Sequence, residues 1–123
     1  MIQLIDSKIN PEDLKARCRE TFKYFVKFVV DIELGRMAVG GELHADGEEM
    51  LLERGSKQDN LWGGNYYPEN KPEERIEFEA FINIRPRLDN DSMEIKNETV
   101  RSKVRQWVTA LLLGPDESLT LTD

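Results

Sequence analysis

A chain of 123 residues with 39% hydrophobic and 33% charged residues is the size of one domain and has enough large apolar side chains for one compact core. Its 24 acids against 17 Lys and Arg give a net charge of −7, which repels phosphate backbones and argues against nucleic acid as a general partner. A single cysteine, Cys18, excludes an intrachain disulfide and a thiolate metal cluster and points to a reducing compartment. MIQLIDSKINPED lacks the basic-then-apolar pattern of a secretory leader, and the apolar run WVTALLLG is too short to span a bilayer. The expectation is a cytoplasmic protein with no membrane association.

IQLI, residues 2–5, reads as a short strand. Asn10-Pro11-Glu12-Asp13 then starts a helix: asparagine caps it, proline occupies the first turn where its missing N–H costs nothing, and acids face the positive dipole end. Leu14, Cys18, Phe22 and Phe25 follow at helical spacing, which makes Cys18 a core residue. FVVDIE (28–33) and MAV (37–39) flank Gly35 as a β-hairpin.

The next stretch, GGELHADGEE (40–49), holds the only histidine, and residues 35–80 as a whole carry 11 acids against 5 bases. As a helix, Asp46 with Glu49 makes a variant capping box, and Leu43, Gly47, Met50, Leu51 and Arg54 share a face up to a stop at Gly55. As a hairpin, Asp46-Gly47 is a favoured turn. The helix is the preferred reading. On a strand, Glu42, His44 and Asp46 would point the same way as a partial metal site; on a helix they fan out, and one histidine does not complete the usual ligand sets. An imidazole among carboxylates keeps its proton to higher pH, so His44 with Asp46 is the candidate acid/base pair; the bland alternative is an ordinary helix start.

LWGGNYYP (61–68) reads as a strand, with Trp62 and Tyr66 on one face and Leu61, Asn65 and Tyr67 on the other. Its glycine pair signals a bulge or the close approach of a backbone or ligand. RIEFEAFINIRP (75–86) alternates best of all: Phe78, Ala80, Ile82 and Ile84 on one face, Glu77, Glu79, Asn83 and Arg85 opposite, with Phe81 the one misfit. A last helix spans about 98–113 and stops at Gly114-Pro115, after which 116–123 reads as an acidic, frayed tail to a domain of residues 1–115.

The order β-α-β-β-α-β-β-α predicts an α+β fold, a mostly antiparallel sheet of about five strands with helices packed on it. Asn83, Arg85 and Arg87 offer donors suited to a carboxylate or phosphate; the competing reading pairs these arginines with the acidic middle segment. No phosphate loop, dinucleotide fingerprint, zinc-protease helix or nucleophile elbow is present.

Taken together, MAVGGELHADGEEMLLERGSKQDNLWGGNYYP and IEFEAFINIRPR resemble a family of short prokaryotic proteins classed as a domain of unknown function. The resemblance implies no established activity. It implies that HAD, GSKQ, LWG, N-x-Y-P and INIRP belong to one shared pocket, that alanine is usual at Gly47, favouring the helix, and that an aliphatic residue is frequent at Gly64. The candidate site is therefore His44 and Asp46 for acid/base chemistry, with Glu42, Ser56, Lys57, Trp62, Asn65, Asn83, Arg85 and Arg87 for binding, and neither metal nor cofactor. The expected ligand is a small anion. The alternatives are a protein-interaction module, homodimeric in one form, and third a metal-dependent hydrolase.

Overall fold

The computed structural model describes residues 1–121. Five antiparallel strands form one open sheet: β1 (Ile2–Ile5), β2 (Val26–Asp31), β3 (Arg36–Gly40), β4 (Leu61–Tyr66) and β5 (Ile76–Glu77), in the spatial order β1-β3-β2-β4-β5. Helices α1 (Pro11–Glu20), α2 (His44–Glu53) and α3 (Glu98–Leu111) complete the expected α+β order. None of them is long and apolar enough to cross a membrane.

The helices divide between the two faces. On one, Leu14 and Cys18 of α1 and Val104, Val108 and Leu111 of α3 meet Val26, Phe28, Val30, Met37, Val39, Trp62 and Tyr66. On the other, Leu51 of α2 meets Val29, Ala38 and Leu61. A central strand covered on both faces must be apolar at successive positions, which is why β2 carries the unbroken run Phe28-Val29-Val30 in place of an alternating pattern. Burial, helped by Glu69, pushes the Cys18 thiol up to about 12, so it stays an unreactive core group at neutral pH.

Local chemistry sets the start of α1 and the hairpin turn as the residues predict, while the helix ends at Glu20, short of Phe22 and Phe25. The Asn10 side chain accepts from the Glu12 N–H at 2.8 Å with Pro11 in the first turn. Gly35 closes the β2–β3 turn at φ +69°, and a Cβ there would lie 2.4 Å from the Trp107 ring, whose Nε1 donates to the Ile32 carbonyl at 3.0 Å. That contact fixes α3 against the turn.

Three readings are corrected. The stretch after Gly41 does form a helix, but it begins at His44, following Leu43, with no side-chain cap. Asp46 and Glu49 are thus not a capping box; Asp46 sits in the first turn, where its charge suits the dipole without a cap hydrogen bond. Of the two readings of the β4 glycine pair the bulge fails, since β2 and β4 pair residue for residue from Val26↔Tyr66 to Asp31↔Leu61, and close backbone approach holds, the Glu77 oxygen lying 2.7 Å from where a Gly64 Cβ would stand.

The third correction concerns 75–86, where only Ile76 and Glu77 are strand. Beyond them the chain bridges to its own continuation at Glu79↔Glu94, turns at residues 81–83 and 86–88, and closes back at Arg85↔Asn90. The alternation holds as far as Phe81, exposed on the polar side, and then inverts: Asn83 and Arg85 are buried while Ile84 is exposed. Of the terminal stretch, Leu119 packs on the core and Leu121 is buried, its N–H donating to Glu69; residues 122 and 123 lie outside the described residues.

Candidate functional site at the edge of β4

The outer edge of β4 pairs with β5 only at Asn65 and Tyr66, so the backbone groups nearer Leu61 need other partners. Side chains supply them. The Asn83 amide donates to the Gly63 carbonyl at 2.9 Å and accepts the Gly63 N–H at 2.9 Å, reproducing both bonds of a strand neighbour, and it reaches the Met93 carbonyl at 3.0 Å. Arg85 donates through Nη1 to the Leu61 carbonyl and through Nη2 to Glu48 of α2 at 2.9 Å, with its guanidinium 5.2 Å from the Trp62 ring centre. Asn90 holds the loop itself, its amide within hydrogen-bond distance of the Asn83, Ser92 and Glu94 carbonyls while it accepts the Lys96 N–H.

His44 belongs to the same edge. Its Nε2 lies 2.8 Å from the Gly64 carbonyl, so Nε2 carries the hydrogen and donates it. Burial lowers the His44 pKa below its ordinary value, Lys27 adding to the effect while the Gly64 and Asn65 hydrogen bonds oppose it. The shift runs opposite to the one expected from neighbouring carboxylates, because Glu42 and Asp46 are exposed to solvent.

The sign of the resulting pH dependence follows. Above the ordinary value of 6.5, His44 is neutral in both folded and unfolded chains; below it the unfolded chain binds the proton first, so stability falls as pH drops toward the lower folded pKa. Wild type should lose more stability than His44→Gln between pH 6.5 and 5.5, by no more than about 1 kcal/mol, as urea denaturation at the two pH values will measure.

The other expected site residues scatter. Ser56 is buried on a separate network near the β2–β3 turn, donating to Asp31 Oδ2 at 2.6 Å and accepting from Arg36 at 3.1 Å. Asn65 donates to Glu77 at 2.7 Å. Arg87 pairs with Asp59 on the surface, which raises the arginine pKa and lowers that of the carboxyl. Glu42 and Lys57 are exposed. The structure thus brings His44, Trp62, Asn83 and Arg85 together around β4, but His44, Asn83 and Arg85 turn their polar groups on the protein itself. Among the described residues no group of three or more His, Cys, Asp or Glu side chains is placed to hold a metal ion.

What this edge presents to solvent is different. A shallow cleft of about 430 Å³ opens between Glu48 and Gln58 on one side and Ile82, Ile84 and Pro86 on the other, with the Arg85–Glu48 pair at its base. Beside it Phe81 is 76% and Ile84 43% exposed. The 81–83 turn packs alongside α2, and Ile82 and His44 both close over Gly63; Leu43, just before the helix start, is 61% exposed. Spacing does not single out Glu48, whereas Asn90 is legible as a polar loop residue beyond the arginines and Phe81 is marked by its break in the alternation.

No curated protein and no solved structure matches the chain. A family model does, over residues 3–111, which takes in every strand and α1 to α3. The chain therefore belongs to the family described as protein of unknown function (DUF5674).

Proposed function

We propose that this protein is a cytoplasmic docking domain that uses the loop at 80–93 and the start of α2 to bind a cationic, amphipathic polypeptide segment. One observation carries the reading: Phe81 and, in part, Ile84 are exposed on a loop whose backbone Asn83, Arg85 and Asn90 tie to β4 and to itself, and Leu43 is exposed at the start of α2. Ordering cost is paid during folding, so burying these side chains under a partner contributes about 1.5–3 kcal/mol each with little entropy to offset it. Glu42, Asp46 and Glu49 are exposed on or just before the same helix, so the rim of the surface is negative and suits Lys or Arg on the partner. An acidic rim also disfavours nucleic acid.

The test is a fluorescence-anisotropy titration with a labelled leucine- and lysine-rich amphipathic helical peptide, against its glutamate counterpart. Wild type should bind the cationic peptide, and Phe81→Ser should weaken binding at least about tenfold while its unfolding free energy changes by less than about 1 kcal/mol, since that side chain is already mostly in water. Equal binding of both peptides, or an unaffected variant, refutes the reading. Sedimentation that shows a dimer of wild type lost in the variant identifies the partner as a second copy of this chain.

A further inference from the structure

The larger cavity lies elsewhere, about 550 Å³ between α3 and the end of the β4–β5 pair, within the size range of small-molecule sites. Its base is apolar: Tyr66, Phe78, Val108 and Leu113 line it. Its walls are cationic. Arg101 and Arg105, four residues apart on α3, project from one helix face and bring their guanidiniums to 4.0 and 5.4 Å from the Phe78 ring centre. Arg75, buried, forms the opposite wall.

Two of these three charges, those of Arg75 and Arg105, have no carboxylate at ion-pair distance among the described residues. Arg75 donates to the carbonyls of Asn70, Gly114 and Glu117, all neutral acceptors, so its donors are satisfied and its charge is not. Among the described residues Arg105 has the Phe78 ring as its contact and no carboxylate at ion-pair distance. Arg101 is the most committed of the three: Nη1 donates to the Ile95 carbonyl at 3.0 Å, with Glu94 at 3.6 Å and Glu98 at 3.9 Å, both acids outside the cavity lining. Glu73 is the one acid that lines it. In a chain with seven more acids than bases, three guanidiniums sharing one cavity with one carboxylate is a local reversal of charge. Guanidiniums held side by side repel, and an oxyanion seated between them removes that repulsion and accepts their forked hydrogen bonds.

We propose that this cavity binds a small organic anion, its phosphate or carboxylate group held by Arg101 and Arg105 and its compact apolar body resting on Pro72, Ile76 and Pro115, the apolar lining residues that reach the surface. It is a site separate from the docking surface. Sequence spacing alone shows Arg101 and Arg105 only as an i, i+4 pair on a helix; the contribution of Arg75 comes from the fold.

Isothermal titration of the full chain with phenyl phosphate, benzoate, inorganic phosphate and benzyl alcohol tests it. Phenyl phosphate or benzoate should bind, and the stronger of the two identifies the head group; inorganic phosphate and benzyl alcohol should each bind at least about tenfold more weakly, lacking one half of the recognition. Arg105→Ala, at an exposed position that leaves the core untouched, should weaken binding at least about tenfold, and Arg105→Glu should abolish it. The proposal is overturned by no binding of either aromatic anion, by equal binding in Arg105→Ala, or by benzyl alcohol or inorganic phosphate binding as tightly as the combined probe.

Discussion

Arg85→Ala is expected to cost about 3–5 kcal/mol of unfolding free energy, the range found when one partner of a buried ion pair is removed. The side chains of Arg85 and Glu48 are 6% and 14% exposed, so the substitution strands a largely buried carboxylate, leaves the Leu61 carbonyl without its donor and opens space beside Trp62. Burial pulls the Arg85 pKa below the usual arginine value while Glu48 holds it up, which is the same balance seen from the proton's side. Arg85→Lys should recover little, because an ammonium on a flexible stem does not span both the carbonyl and the carboxylate as the fork does. Urea or guanidinium denaturation of the three proteins measures it. A loss below about 1 kcal/mol for Arg85→Ala would mean that the guanidinium is held for a ligand rather than for the fold.

Gly64→Ala should be the other severe substitution, costing about 3 kcal/mol, at the upper end for overpacking. A Cβ at Gly64 would stand 2.6 Å from Phe28 Cζ and 2.7 Å from the Glu77 backbone oxygen. The ring is wedged in the core and the carbonyl belongs to β5, so relief requires the β4–β5 pair to separate. Gly47→Ala provides the contrast. There the added Cβ meets Ala38 Cβ and Val29 Cγ2, each at 3.2 Å, and α2 can lift by a few tenths of an ångström because Gly47 and Leu51 are its only buried residues. Alanine also gains about 1 kcal/mol over glycine in a helix interior, so a small net stabilisation is expected. Thermal melts of the two variants should move in opposite directions.

The same two glycines show why the resemblance to a family is informative at one position and not at the other. The expected helix around Gly47 is present, since helix propensity is a local property. An aliphatic residue at the position of Gly64 suggests that the glycine pair is incidental, yet in this chain the room beside Gly64 is taken by Phe28 and the β5 backbone, neither of which is near it in sequence.

A comparable division runs through the candidate site. Cap chemistry at Asn10-Pro11, the turn at Gly35 and the apolar stripe of α3 depend on neighbours within a few residues, and they stand where spacing places them. Asn83 and Arg85 are legible as a conspicuous polar pair but not in role. Alternation places them on the outward face of a strand, whereas the fold ends that strand at Glu77 and uses their side chains as the missing ladder partners of β4. A side-chain amide that imitates a backbone neighbour leaves the same period-two pattern as a true strand. His44 is a similar case: the nearby acids in sequence suggest a raised pKa, and burial against Gly63 and Gly64 lowers it instead.

By itself, then, the sequence determined the order of elements, an antiparallel sheet with helices on it, the helix start at Asn10 and the inert core position of Cys18, because these follow from periodicity and nearest-neighbour chemistry. Only the tertiary structure decided that the polar groups of His44, Asn83 and Arg85 are turned inward, that Phe81 and Ile84 are left in water, and that Arg75 faces Arg101 and Arg105 across a cavity. Those outcomes depend on which distant segments supply a partner for each buried donor or charge, and that pairing is set by the packing of the whole chain.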